Sequence, residues 1–341
     1  MNRFLFILLI TNSLLLFGQT PAIKRIGIIG LDTSHANTFA AMFNGKDANP
    51  DFADFRVTIA YPWGSKTIKD GYTRVPMFTE RAKDLGLKIA ESIDELLQEV
   101  DFVLLETQDG HLHVEQALAV FKAGKPVFID KPMAASLTDV CLIFDLAAKY
   151  NVPTFSASSF RYIAPVLEAT SGSKGRVLGA DCFAPCKEEP SHPSLYWYGM
   201  HGVEMLFTVM GTGCKTVTRA HTNESDVAVG VWKDGRIGVF RGMRIGEEQY
   251  YHFGGFAYGE KGPVKLDSYV DYGYPGLMKE VVRFFRSGEL PVPHETTIEI
   301  YAFMDASTLS YQTGKPVEID VIIQKAKKAA KKKLAKIEVK K

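Results

Sequence analysis

The chain has 341 residues, of which 46% are apolar and 23% charged, values that suit a folded protein of about two domains and exclude a disordered chain. Forty basic and thirty-nine acidic residues leave a net charge of +1, but the charges are unevenly placed. Residues 325–341 carry nine lysines and one glutamate, so they contribute +8 and the remaining chain −7, which argues against a nucleic-acid-binding groove.

Residues 1–18 have the pattern of a secretory signal peptide. Arg3 supplies a positive charge, a short apolar run follows, and Gly18 is a small residue at a cleavage point. The apolar run is too short and too interrupted for a stable membrane span, and no other segment approaches about 20 apolar residues. We therefore expect an exported protein, periplasmic or secreted, with no integral membrane span; the alternatives are an uncleaved anchor and a chain whose start is wrongly assigned.

Short apolar runs alternate with helical patterns in the N-terminal part of the chain. Strands are predicted at 24–30, 57–60, 101–105, 126–129 and 152–156, and helices at 36–44, 80–87, 93–97, 113–122 and 137–150. This alternation is typical of a doubly wound parallel sheet, an α/β fold of Rossmann type.

The pattern changes after Pro165 to a period of two with many aromatic residues. Strands are predicted at 175–186, 215–221, 226–242 and 247–257, and helices near 199–210, 276–287 and 296–312. These elements predict a second, α+β domain built on an antiparallel sheet.

We divide the mature chain into a Rossmann-like domain at 22–155, an α+β domain for substrate binding and oligomerisation at 156–320, and a basic tail at 321–341. Lysines alternate with Ala, Ile and Leu in the tail. This pattern predicts either an amphipathic helix on an anionic surface or a solvated, frayed helix end, and we favour the second.

Four cysteines remain in the mature chain. Export permits a disulfide between Cys182 and Cys186, whereas buried free thiols are equally consistent with the pattern. There is no C-x-x-C pair, so a zinc ribbon is not indicated, and we assign no metal ligands.

The turn after the first strand departs from the dinucleotide-binding pattern G-x-G-x-x-G. Gly30 is present, but Asp32 and His35 replace the second and third glycines. Asp32 brings a negative charge towards the place where a diphosphate would bind. Alternatively, Asp32 or Ser34 caps the following helix. Residues 61–64, Tyr-Pro-Trp-Gly, also lack the acid that usually binds the ribose.

Two further segments carry residues suited to proton transfer. Lys131 follows a buried strand, at the sheet edge that faces the ligand crevice, where an amine can polarise a hydroxyl or donate a proton. His201 and Glu204 lie three residues apart, hence on one face of an otherwise apolar helix. The alternatives are an ordinary surface lysine and a core histidine with satisfied hydrogen bonds.

These residues resemble the Gfo/Idh/MocA family, named after glucose–fructose oxidoreductase, inositol dehydrogenase and MocA, over about residues 24–320. The resemblance rests on the strand at 26–30, on the segment 107–117 with His113, and on Lys131-Pro132, which follows Asp130 where the family has Glu. Gly199-x-His201 corresponds to the catalytic motif of the family's second domain, although Trp197 replaces its aspartate.

The resemblance implies hydride transfer on a sugar or polyol, NAD or NADP as cofactor, and an assembly of identical subunits. It makes Lys131 and His201 catalytic candidates. Glu204, on the same helix face as His201, joins them as a catalytic candidate, and Arg161, Trp197 and Tyr198 are our candidates for substrate binding. The candidates for cofactor binding are Gly30, Asp32, Ser34, His35, Thr107, Gln108, His113, Asp130 and Lys131.

Three functions fit this pattern. We favour an oxidoreductase that acts on a carbohydrate and holds its nicotinamide tightly. The second is an NAD-independent lyase or hydrolase on oxidised sugars, in which Lys131, His201, Glu204 and His35 act as acid, base or metal ligands. The third is a non-catalytic carbohydrate-binding protein whose residues 196–198, Tyr-Trp-Tyr, stack on sugar rings.

Overall fold

A computed structural model describes residues 22–244, 252–267 and 272–339. The predicted signal peptide and the first residues of the strand predicted at 247–257 lie outside these ranges. Within them, no helix is long and apolar enough to cross a membrane.

Six parallel strands form the first sheet, in the order β3-β2-β1-β4-β5-β6. They are β1 (Lys24–Ile29), β2 (Phe55–Tyr61), β3 (Lys88–Ile89), β4 (Phe102–Leu105), β5 (Val127–Ile129) and β6 (Thr154–Phe155). The strand order reverses between β1 and β4, so a ligand crevice is expected outside the carboxyl ends of these strands. The predicted parallel sheet is confirmed.

Six helices cover this sheet. They are α1 (Ser34–Asn44), α2 (Lys69–Tyr72), α3 (Val75–Asp84), α4 (Ile93–Glu99), α5 (His113–Lys122) and α6 (Leu137–Tyr150). Helix α3 begins and ends earlier than predicted, because Pro76 suits a first helical turn and Gly86, with φ of 82°, follows the end of the helix.

The second sheet has seven strands in the order β12-β11-β7-β10-β9-β8-β13. They are β7 (Val177–Pro185), β8 (Cys214–His221), β9 (Ser225–Trp232), β10 (Ile237–Met243), β11 (Gly254–Gly259), β12 (Gly262–Lys265) and β13 (Val317–Glu318). Every pairing is antiparallel except that of β7 with β10. The strand predicted at 226–242 is a hairpin, since Gly235, with φ of 89°, permits a tight turn between β9 and β10.

Five more helices complete the described fold. They are α7 (Ala164–Thr170), α8 (Gly199–Met210), α9 (Tyr274–Ser287), α10 (His294–Thr313) and α11 (Ile319–Val339). Helix α8 packs closely on the second sheet at Gly202, where a Cβ atom would approach the Phe240 ring to 2.6 Å. The positions of α8 and α10 agree with the prediction.

Helix α9 returns to the first sheet. Its buried residues Leu277, Val281 and Phe284 share one hydrophobic core with Phe55 and Phe155 of the parallel strands. The boundary at residue 155 therefore separates the two sheets but not the two cores.

The basic tail is an ordered helix, so the favoured expectation of a frayed, solvated end is wrong. Helix α11 packs on α6, with Ala330 fully buried and Lys333 Nζ 2.7 Å from Asp139 Oδ1. The Ala, Ile and Leu residues between the lysines form an apolar stripe towards the core, while the lysines face solvent.

All four cysteines are buried free thiols. Cys186 donates a weak hydrogen bond to Asp226 Oδ2 at 3.7 Å, and Cys182 lies within β7. The structure therefore excludes the disulfide between Cys182 and Cys186 that the sequence left open.

Candidate functional site

The turn between β1 and α1 is tightly packed against the loop after β4. Gly30 has φ of 100°, and a Cβ atom there would lie 2.5 Å from the Thr107 backbone nitrogen. Only glycine fits both the left-handed conformation and the close approach. The first glycine of the dinucleotide pattern is thus required by this fold.

Asp32 connects three loops at the carboxyl edge of the first sheet. Its side chain is fully buried and accepts hydrogen bonds from the Ser65 nitrogen at 3.1 Å and the Gln108 nitrogen at 3.0 Å. Burial raises the pKa of Asp32 to about 6, and the two backbone donors limit this rise. Two N–H groups near the expected diphosphate position thus already bind a carboxylate.

Neither residue proposed as the cap of α1 has that role. Thr33 caps the helix, since its Oγ1 accepts a hydrogen bond from the His35 nitrogen at 3.2 Å. Asp32 points instead to the neighbouring loops, and Ser34 is exposed at the first helical position.

His35 links the two domains. Its Nδ1 lies 2.6 Å from Asp130 Oδ2, and its Nε2 lies 3.1 Å from the hydroxyl of Tyr274 in α9. Burial opposes ionisation of Asp130, but the charge and hydrogen bond of His35 outweigh it and lower the pKa of that carboxyl. The third-glycine position thus holds a histidine paired with a buried acid.

Glu106, which the sequence analysis did not single out, lies at the end of β4. It is fully buried, and neither carboxylate oxygen has a hydrogen-bond partner within the described ranges. Burial, reinforced by the charge of Asp130, raises the pKa of Glu106 well above its usual range. The sequence feature that could have identified Glu106 is its position as a charged residue directly after the apolar residues 102–105.

The loop after Glu106 holds three of the predicted cofactor-binding residues. Thr107 Oγ1 and Gln108 Oε1 are buried without a partner in the described part of the chain, so both atoms are free to bind a ligand. His113 is fully buried, with Nδ1 3.0 Å from the Met133 carbonyl and Nε2 2.6 Å from the Thr107 carbonyl. His113 therefore holds the loop in place.

Lys131 and His201 approach the crevice from different domains. Lys131 is half-buried after β5, joined to Pro132 by a cis peptide, and its backbone N–H donates a hydrogen bond to the Asp130 carboxylate. His201 lies in α8, with Nδ1 2.7 Å from the Ser158 hydroxyl. Burial lowers the pKa of His201 well below its usual range, and the positive charges of Lys131 and His35 reinforce this. The charge of Lys131 thus acts on an imidazole that burial keeps neutral.

Glu204 supports the segment that holds His201. Its Oε1 lies 3.0 Å from Arg161 Nε, and the Ser158 backbone also donates to its carboxylate. Both members of the pair are largely buried, although Arg161 Nη2 has no partner in the described ranges. Glu204 thus positions Ser158, while Arg161 retains one donor for a ligand.

The predicted sugar-binding aromatic residues differ in exposure. Trp197 is buried with its ring 5.1 Å from His192, while Tyr198 is half-buried with its ring 6.3 Å from His201. His192 belongs to a second polar cluster with Asp109 and the exposed His111, which the sequence analysis also missed. Asp109 and His111 share one loop and His192 comes from a distant one, so spacing along the chain did not indicate that the three lie together.

A cavity of about 130 Å³ lies beside the end of β2. Tyr61 and Trp63 line one part of it, with rings 5.9 Å apart and nearly parallel, and Leu112, Glu115 and Gln116 line another. The carboxylate that is missing after β2 is thus supplied to the same region by Glu115 of α5.

The buried Asp32 carboxyl predicts a pH-dependent effect of Asp32→Asn. A folded-state pKa near 6, above the unfolded value of 3.8, means that the wild-type protein loses stability relative to this variant as pH rises through 4 to 6. Between pH 4 and 7 the difference in free energy of unfolding between the wild-type protein and the variant should shift by up to about 3 kcal/mol in favour of Asp32→Asn. Urea unfolding at several pH values measures it, with the exposed Asp47→Asn as control; a shift of zero or opposite sign would contradict the prediction.

Comparison with known proteins identifies the N-terminal domain. Residues 24–158 match a model described as an oxidoreductase family with an NAD-binding Rossmann fold, the Gfo/Idh/MocA family. An uncharacterized oxidoreductase of Streptococcus pneumoniae is 28% identical over 159 residues, covering 42% of this chain and 43% of the relative. The chain thus matches less than half the length of that relative.

Solved structures share the fold of both domains. A probable dehydrogenase from Thermotoga maritima is 20% identical, with a TM-score of 0.72, over 87% of this chain and 99% of that one. Scyllo-inositol dehydrogenase from Lactobacillus casei, solved with NAD(H) and scyllo-inositol, is 14% identical, with a TM-score of 0.71 over the same shares. The match agrees with the resemblance seen in the sequence: residues 24–158 of this chain are similar to the Gfo/Idh/MocA oxidoreductase family.

Proposed function

We propose that this protein is an oxidoreductase that acts on a sugar, a polyol or a sugar derivative, with NAD or NADP as its cofactor. The observation that carries the proposal is that the charge of Lys131, at the edge of the parallel sheet, acts on the buried and neutral His201 of α8 in the second domain. The scyllo-inositol dehydrogenase with the same fold, solved with NAD(H) and a polyol, supports this substrate class.

Several features of the crevice fit a dinucleotide. The cavity beside Tyr61 and Trp63 offers flat apolar surfaces for an adenine ring, and Glu115 offers an acceptor for hydroxyl groups. Further along the sheet edge, Thr107 Oγ1 and Gln108 Oε1 are buried polar atoms without partners in the described chain. When bound, the nicotinamide would supply the hydride acceptor or donor.

The chain's own residues suit a hydroxyl substrate. Because His201 Nδ1 is engaged by Ser158, Nε2 is the ring atom left to hold or move a proton. Because the imidazole is neutral, it can accept the proton of the substrate hydroxyl. The Lys131 ammonium would stabilise the negative charge that develops on the substrate oxygen. Arg161 Nη2 is a further donor for a substrate hydroxyl.

Lys131→Ala and His201→Ala test this arrangement. Each should lower kcat/KM for an accepted polyol or sugar by about 10²–10⁴-fold, since each removes a proton-transfer or charge-stabilising group. The exposed Lys122→Ala is the matched control and should leave kcat/KM unchanged. Circular dichroism checks that each variant is folded, and unchanged turnover in both site variants would refute the proposal.

An NAD-independent lyase or hydrolase is the second candidate. It is favoured by Asp32, whose carboxylate binds two N–H groups near the expected diphosphate position. In such an enzyme, Lys131 and His201 would act as acid and base on an oxidised sugar. Turnover of a keto-sugar that persists after charcoal treatment has removed nucleotides would select this candidate over the first.

We also propose that the protein is exported and assembles with copies of itself. The signal-like pattern at 1–18 supports export. The second sheet supports assembly, since Leu178, Ile237, Phe256 and Tyr258 are large apolar residues exposed on its strands.

Mass spectrometry of protein from cells that make the full chain tests both statements. Under denaturing conditions the subunit mass should match a chain that begins near Gln19, and under native conditions the mass should be a multiple of that value. A subunit that retains residues 1–18 would contradict cleavage and export, and a monomer at micromolar concentration would contradict assembly.

A further inference from the structure

Glu106 is a buried acid with no hydrogen-bond partner among the described residues. Both carboxylate oxygens lack a hydrogen bond within the described ranges, and the side chain is fully buried. As a carboxylate it accepts no hydrogen bond from the described residues, although the charge of Lys131 acts on it, and as a carboxylic acid it has an O–H donor without an acceptor among them. Because neither protonation state is satisfied by the described side chains, these oxygens are available to a ligand.

Two other groups that can bind a metal lie close to Glu106. One ligand atom from each of His35, Glu106 and Asp130 lies within 4.8 Å of the other two. The first turn of α1, the end of β4 and the end of β5 supply them, so three adjacent segments at one sheet edge converge. Ligand atoms around one ion are separated by up to twice the bond length, about 4.2 Å for Zn²⁺. A small movement of the unpaired Glu106 side chain is enough to reach this value.

The donor set indicates the class of ion. Two carboxylates and one imidazole suit Mn²⁺ or Zn²⁺, whereas Mg²⁺ prefers oxygen ligands and retains several waters. We propose that His35, Glu106 and Asp130 bind one divalent transition-metal ion of this class. The ion neutralises Glu106 and ties the β1–α1 turn to the ends of β4 and β5.

The second polar cluster does not carry the same inference, because none of its three side chains is a buried group without a hydrogen-bond partner in the described ranges, whereas Glu106 is such a group. Asp109 Oδ2 accepts a hydrogen bond from Ser65 Oγ at 2.8 Å, and Asp109 Oδ1 lies 2.9 Å from His111 Nδ1. His192 Nε2 accepts a hydrogen bond from the Gly110 nitrogen at 3.2 Å. This cluster therefore serves as a control for the proposed site.

Calorimetric titration of the chelator-stripped full chain tests the proposal. MnCl₂ or ZnCl₂ should bind with one equivalent per chain and more tightly than MgCl₂. Glu106→Gln should weaken this binding by at least about tenfold, while His111→Gln should leave it unchanged. Binding does not depend on turnover, so failure of this test leaves the proposed oxidoreductase activity untouched.

Three outcomes would overturn the proposal: no uptake of either ion by the wild-type chain, equal uptake by Glu106→Gln, or loss of uptake only in His111→Gln. The third would assign the ion to the second cluster. Electron spin echo spectra of bound Mn²⁺ provide a readout that does not depend on the folding of Glu106→Gln. The wild-type spectrum should show nitrogen coupling from one imidazole, and its absence would exclude His35 as a ligand.

Discussion

Buried negative charge at the carboxyl edge of the parallel sheet is the constraint on which the rest of this site depends. Asp32, Glu106 and Asp130 all lie there, each less than a tenth exposed. Backbone N–H groups stabilise Asp32, the His35 ring stabilises Asp130, and the described chain provides no partner for Glu106. Any anionic cofactor or substrate that enters the crevice must be accommodated beside these groups.

The second half of the chain completes a site that the first half begins. The Tyr274 hydroxyl of α9 is hydrogen-bonded to His35, and His201 of α8 lies where the charge of Lys131 acts on it. The Arg161–Glu204 pair and the Ser158 hydroxyl hold His201 in one orientation. Because α9 also shares its apolar core with the parallel sheet, the relative position of these groups is fixed by packing rather than by a flexible connection.

Local patterns predicted the elements whose boundaries depend on local chemistry. The limits of α5, α6 and α8 follow from apolar periodicity, from the Ser136 cap of α6 and from the left-handed Gly124 and Gly211 that follow α5 and α8. The motif around Lys131 likewise identified the crevice edge, because parallel strands place their carboxyl ends together.

Long-range packing could not be predicted in the same way. The lysine-rich tail was expected to be frayed, since its apolar stripe is narrow and only the surface of α6 makes its burial favourable. Glu106 was overlooked because a single acid after a strand usually reaches solvent, and only the three-dimensional structure shows that it does not. The clustering of Asp109, His111 and His192 depends on loops far apart in sequence.

The central claim is that a nicotinamide dinucleotide binds in this crevice, next to Lys131 and His201. The most direct measurement is to denature the purified protein and to analyse the released small molecules by absorbance and mass spectrometry. We expect close to one NAD or NADP per chain. The absence of released dinucleotide, together with no rise in Tm when NAD or NADP is added, would contradict the account.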